Sequence, residues 1–309
     1  MILSVSRRTD IPAFYSEWFF NRLREGYACV RNPMNARQVS KINISPEVVD
    51  CIVFWTKNPA PMLPRLYSLR DYKYYFQFTL NPYGKSIEVS VDKKNSIINT
   101  FKTLSDKLGA ERVIWRYDPI FFTKDIDMDY HLRYFEKLAQ LLHSYTKRCV
   151  ISFLDLYKKT ERNMANTDPY VPNTDEMNLL ASRFAGIGKG LEIEVQSCAE
   201  EIDFNQNGVA HGHCVDQNLI EKLVGYRIEA KKDPNQRNAC GCIESIDIGE
   251  YNTCLHHCLY CYANYSQKQV LHKRGAHNIN SPLLSGEIGP DDHIRIRPVK
   301  LLKANGLFG

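Results

Sequence analysis

Short apolar runs alternate with longer amphipathic stretches along this chain. The runs are ILSVS from Ile2, CIVFW from Cys51, YYFQFTL from Tyr74, VIWRY from Val113, CVISFL from Cys149, LEIEV from Leu191 and SIDIG from Ser245. They are rich in β-branched and aromatic residues and have the length of strands. Between them, apolar positions recur at helical spacing. Ile97, Phe101, Leu104 and Leu108 share one face of a stretch from Asp92 to Leu108 that Gly109 would stop. Leu132, Phe135, Leu138 and Leu142 repeat the period, while Pro12 suits a first helical turn and Gly26 the end of that helix.

Repeated strand–helix units predict an α/β fold with a parallel sheet. Seven or eight of them suit a TIM-like (β/α) barrel better than an open doubly wound sheet, which is the alternative. The eighth strand is sought in YACVRN around Cys29 or in a hairpin around Val39 to Ile44. Ile294 and Ile296 alternate as in an edge strand. This gives one barrel domain over residues 1–274, containing a cysteine-rich segment at 198–262. A short extension, 275–309, is expected to pack on it.

The strand exits are polar. Arg7, Arg8 and Asp10 follow ILSVS, and Lys57 and Asn58 follow CIVFWT. Gln77 and Thr79 end the next run, then Arg116 and Asp118, Asp155, and finally Gln196 with Cys198. In parallel α/β barrels the C-terminal strand ends build the active site, so the set reads as a cavity lining. Each residue singly reads equally well as hydrophilic loop.

Composition narrows the compartment. Of 309 residues, 44% are hydrophobic and 24% charged, as in ordinary globular chains. No apolar run is long enough to span a bilayer, and MILSVSRRTD lacks the features of a signal peptide. The expectation is a cytoplasmic protein without membrane partners, where thiols stay reduced and cysteine clusters usually mean metal or redox chemistry. The net charge of +5 permits a polyanionic partner without requiring one.

Ten cysteines are unevenly spread. Cys29, Cys51 and Cys149 lie in or beside apolar runs and read as small buried hydrophobes. Cys198, Cys214, Cys240, Cys242, Cys254, Cys258 and Cys261 fall in the last third. Soft thiolates suit zinc or iron–sulfur clusters. A structural zinc wants four protein ligands, and YNTCLHHCLYCYANY offers three cysteines in one loop. Either His256 or His257 supplies a fourth ligand, or one metal position stays open.

Cys254-x-x-x-Cys258-x-x-Cys261, with Tyr260 before the last cysteine, resembles the signature loop of the radical S-adenosylmethionine superfamily. The resemblance implies that the three thiolates hold three irons of a [4Fe–4S] cluster. The fourth iron chelates S-adenosylmethionine, whose reductive cleavage gives a 5′-deoxyadenosyl radical. It also implies a one-electron reductant such as a flavodoxin or ferredoxin. SRRTDIPAF, FWTKNP, WRYDP, QSCAE and CGCIESIDIGEYNTC together resemble an uncharacterised microbial domain-of-unknown-function family ending in this cluster. A looser likeness runs to spore photoproduct lyase-type DNA repair enzymes. That superfamily carries its loop after the first strand, whereas here it follows the last. A circular permutation, with SIDIG first and ILSVS second, reconciles the two. SRRTD then replaces the usual glycine-rich segment, which makes Arg7, Arg8 and Asp10 candidate cofactor contacts, with Gln77, Arg116 and Asp155 at other exits.

Cys198, Cys214, Cys240 and Cys242 could complete a second, auxiliary iron–sulfur cluster, or a zinc site using His211 or His213, or remain unpaired thiols. GIGKG at Gly186 lacks the Lys-Ser/Thr ending of a phosphate loop and reads as a helix-to-strand turn. Lys231, Lys232, Arg237, Lys268, Lys273 and Arg274, mixed with Tyr262, Tyr265 and His272, read as a solvated surface or as contacts to nucleic acid. The leading expectation is a radical enzyme of unknown substrate, with nucleic-acid repair or modification slightly favoured. The alternative is a non-catalytic zinc or iron–sulfur protein that binds nucleic acid or passes electrons.

Overall fold

The computed structural model describes residues 1–155 and 158–304. The strands are β1 (Ile2–Val5), β2 (Tyr27–Asn32), β3 (Asn35–Asn43), β4 (Cys51–Thr56), β5 (Tyr74–Thr79) and β6 (Val113–Ile120). There follow β7 (Arg148–Phe153), β8 (Glu194–Ser197), β9 (Ala210–His211), β10 (Ile246–Asp247) and β11 (His293–Ile296). The helices are α1 (Ile11–Phe14), α2 (Ser16–Glu25), α3 (Lys94–Leu108), α4 (Met128–Leu142), α5 (Lys158–Met164), α6 (Thr174–Gly190), α7 (Gln217–Val224) and α8 (Gln267–Gly275).

Eight strands form one wholly parallel sheet in the order β10-β1-β4-β5-β6-β7-β8-β9. The fold is therefore α/β with a large parallel sheet. Its edges are β9 and β10, and no ladder joins them among the described residues. The last strand of the sheet in sequence pairs with the first, Leu3 with Ile246 and Ser4 with Asp247.

The eighth strand is Ala210–His211, two residues long, and neither proposed candidate takes that place. YACVRN and the segment around Val39 instead make a hairpin, joined in parallel by β11 in a separate three-stranded sheet. A two-residue strand carries no alternation for a sequence reader to find. GIGKG is also not a turn. α6 runs through it to Gly190 because a capping box at Asn173 and Glu176 starts a helix whose Phe184 and Gly188 face inward.

The two sheet faces differ. Leu3, Phe54, Phe76, Trp115, Tyr117 and Ile151 belong to the main apolar core, with Trp18, Phe101, Phe135 and Phe184 from the helices. Fully burying such side chains contributes about 1.5–3 kcal/mol each. On the opposite face, Ile2, Val53, Tyr75, Ile114 and Val150 are apolar near the strand starts. Strand alternation then brings Ser4, Trp55, Gln77, Arg116, Ser152 and Gln196 onto that same face near the strand ends. Because all eight strands run one way, their C-terminal ends share one edge, and the polar residues gather there.

Candidate metal and cofactor site

Cys254, Cys258 and Cys261 open into one cavity of about 130 Å³, together with Arg7, Arg8, Asp10, Lys57 and Thr79. Few residues of the cysteine loop lie in regular structure, so separate contacts hold it. Leu259 N–H donates to Ile87 O at 3.0 Å and Ser90 N–H to His256 O at 3.0 Å. Tyr15 Oη donates to Thr253 O at 2.6 Å. Asn264 Nδ2 donates to Cys254 O at 2.8 Å.

Tyr260 explains the aromatic before the last cysteine. Its hydroxyl donates to Glu88 Oε1 and accepts from Asn81 Nδ2 at 3.2 Å, and its ring borders the cavity. Glu88 is 1% exposed and pairs with Lys57 at 2.7 Å and with Lys94. Burial alone would raise its carboxyl, but the two lysines override this and hold it at about 2.

The SRRTD segment is shaped by Asp247. Its carboxylate accepts from Ser4 Oγ at 2.9 Å, Ser6 Oγ at 2.6 Å, Arg7 N–H at 2.7 Å and Gly249 N–H at 2.8 Å. Gly249 is needed for close approach, since a Cβ there would meet Ser6 Oγ at 1.9 Å and Ser6 Cβ at 2.5 Å. Sequence reading missed Asp247 and Glu88. The Asp inside SIDIG was the available signal, but its role depends on a strand pairing 243 residues away in sequence.

The candidate cofactor residues separate into groups. Arg7 and Arg8 border the cysteine cavity. Arg7 pairs with Asp233 at 3.3 Å and lies over Trp55 at 5.3 Å, and Arg8 lies over Tyr251 at 5.2 Å. Asp10 is committed to structure, accepting from Ala13 N–H at 3.0 Å, Lys57 N–H at 2.7 Å and His256 Nε2 at 2.8 Å. Arg116 is buried, pairs with Asp118 at 2.6 Å and donates to Cys214 Sγ at 2.5 Å. Gln77 is completely buried and donates to Cys214 O at 2.9 Å, so it serves the second cysteine group and does not border the first cavity. Asp155 stands at the rim, paired with Arg237.

Cys198, Cys214, Cys240 and Cys242 are also gathered. All four line a second cavity of about 310 Å³, bordered by Cys261, Tyr260, Trp55 and Arg116. Cys29, Cys51 and Cys149 are buried elsewhere, and all ten cysteines are free. Of the basic and aromatic residues near the cluster, Arg237, Tyr262 and Tyr265 line a groove of about 1150 Å³, with Arg7, Arg8, Arg31, Arg297 and Tyr251. Lys273 is instead tied to Glu250 at 2.5 Å.

The donor set fits a metal–sulfur group. Burial pushes the Cys258 thiol up to about 12 against the pull of Lys57, and Cys254 is raised by burial and by Cys261 and Asp10. Cys254 and Cys258 therefore resist ionising, and a bound metal reverses that balance. Among the described residues, no three His, Cys, Asp or Glu side chains surround a single-ion position.

Residues 2–263 match the sequence profile of a family described as a domain of unknown function, DUF1848. The chain belongs to the DUF1848 family. No curated protein matches it. The DUF1848 match ends two residues beyond Cys261, so it takes in all seven clustered cysteines and leaves α8 and β11 outside. Among the described residues, no helix is long and apolar enough to cross a membrane.

Proposed function

We propose that this DUF1848 chain is a radical S-adenosylmethionine enzyme on a TIM-like barrel, permuted so that β10 is the first strand and β1 the second. Cys254, Cys258 and Cys261 would hold its [4Fe–4S] cluster. The observation that carries this reading is that three thiols of one loop, and not four, open together at the C-terminal edge of a parallel sheet. With S-adenosylmethionine bound, such a cluster supplies the electron that cleaves the sulfonium and releases a 5′-deoxyadenosyl radical for hydrogen abstraction.

The chain's own residues have definable tasks. Arg8 donates to Gly249 O at 3.5 Å and borders the cavity, which suits it to hold the methionine carboxylate. Trp55, Tyr260 and Tyr262 wall the site with aromatic surface that excludes water. The large groove beside it, with Arg8, Arg31 and Arg297 interleaved with Tyr251, Tyr262 and Tyr265, supports a nucleic-acid strand as substrate. A one-electron protein donor such as a flavodoxin or ferredoxin completes the system.

One observation favours the rival, a zinc site. His256 Nε2 is bonded to Asp10 while its Nδ1 is buried without a partner, the arrangement of a carboxylate-oriented ligand. Anaerobic reconstitution with iron, sulfide, S-adenosylmethionine and dithionite separates the two. The proposal expects 5′-deoxyadenosine from the native chain and none from Cys258→Ala. Tightly held zinc with no cleavage establishes the rival.

A further inference from the structure

Cys198 follows β8, Cys214 follows β9, and Cys240 and Cys242 precede β10, yet the four thiols meet. Cys198 Sγ and Cys214 Sγ are 2.9 Å apart, and Cys240 and Cys242 line the same cavity as both. None is more than 7% exposed. Packing of small hydrophobes does not account for this group. Arg116 donates to Cys214 Sγ, Val215 N–H donates to Cys242 Sγ at 3.3 Å, and Cys214 O accepts from both Tyr75 Oη and Gln77 Nε2. A cationic, hydrogen-bonding lining is what thiolates need and what neutral thiols do not.

Unspent polar atoms surround the group. Arg7 Nη2, Gln77 Oε1 and His213 Nδ1 are buried without partners. Gly241, between two of the cysteines, allows the His213 ring to approach, since a Cβ there would lie 2.1 Å from it. Among the described residues, no three His, Cys, Asp or Glu side chains surround a single-ion position. The 310 Å³ cavity the four cysteines border leaves room for a larger inorganic group.

We propose that Cys198, Cys214, Cys240 and Cys242 ligate a second iron–sulfur cluster, separate from the group held by Cys254, Cys258 and Cys261. Loading releases the four thiol protons, and Arg116 and Arg7 offset the negative charge of the tetrathiolate shell. Cys261 borders the same cavity, so the two centres are neighbours.

The test uses the full chain prepared without oxygen and reconstituted with iron and sulfide. In the Cys254→Ala, Cys258→Ala, Cys261→Ala triple variant, about four irons and four sulfides per chain remain. Dithionite produces a cluster paramagnetic signal that S-adenosylmethionine does not alter. A folded triple variant with no iron, with a single zinc, or with a Cys198–Cys214 disulfide overturns the proposal. If the triple variant does not fold, Cys240→Ala with Cys242→Ala in the otherwise native chain decides. Its iron content falls by about half, and undiminished iron refutes the second centre. Failure of the function proposed above would instead leave the triple variant's iron intact while the native chain gave no 5′-deoxyadenosine.

Discussion

Asp10 and His256 meet at 2.8 Å although 246 residues separate them in the chain. Asp10 caps α1 and holds the start of the Lys57 loop, while His256 stands between the first two cysteines. One buried carboxylate therefore ties the N-terminal segment, the β4 exit and the cysteine loop together. Asp10→Ala strands the donors of Lys57 and His256 and removes the cap. The expected cost is about 2–4 kcal/mol in denaturant unfolding. His256→Gln tests the ligand role directly: with the three cysteines sufficient, reconstituted iron content is unchanged. Loss of the metal would make His256 a ligand.

Lys57 and Glu88 form the second tie beneath the loop. Lys57→Met leaves a buried carboxylate with one lysine, and the expected loss is about 3 kcal/mol. Replacing both, Lys57→Met with Glu88→Leu, restores most of it because Lys94 is exposed enough to turn to water. Additive losses in the double-variant cycle would contradict this.

Gly249 tests the close packing of the cysteine-loop lead-in against the first strand exit. Gly249→Ala is expected to destabilise the fold by about 1–3 kcal/mol. Ser6→Ala in the same chain does not rescue it, because the Ser6 Cβ itself lies at 2.5 Å from the added atom. Ser6→Gly removes both Ser6 contacts and recovers part of the loss, less the Ser6 Oγ bonds to Asp247 and Arg8 N–H, and unfolding midpoints of the three variants check the order.

His131 makes stability depend on pH away from the site. Its Nε2–H donates to Phe121 O at 3.0 Å and its Nδ1 accepts from Tyr117 Oη at 2.8 Å, which uses the neutral ring completely. Burial lowers it from 6.5 to about 4. Between these values the unfolded chain takes up a proton that the folded chain refuses. The contribution is therefore complete above pH 6.5 and is lost as pH falls towards 4, about 3 kcal/mol in all. His131→Gln keeps both hydrogen bonds and removes this part of the slope. Equal slopes in the two proteins would disprove the assignment.

The candidate site was partly legible because its chemistry is local. The spacing of Cys254, Cys258 and Cys261 needs no fold to be read. Part of the polar-exit set was legible too, since alternation in β5, β6 and β8 puts Gln77, Arg116 and Gln196 on one face. Gln77 reaches Cys214 O and not the cavity of Cys254, Cys258 and Cys261, because its depth along the strand depends on register. Asp10, a candidate cofactor contact, borders the cysteine cavity while accepting from backbone and histidine donors, a pairing set by segments remote in the chain.

The sequence by itself determined the seven short apolar runs, the helices between them and a loop of three closely spaced thiols. Those features follow from periodicity and ligand type over a few residues. Only the tertiary structure decided that β10 lies beside β1, that β9 supplies the eighth strand, and that four scattered cysteines meet at one buried point. Each of these depends on pairing between segments remote in the chain, and such pairing is fixed by packing and hydrogen bonding that no local pattern contains.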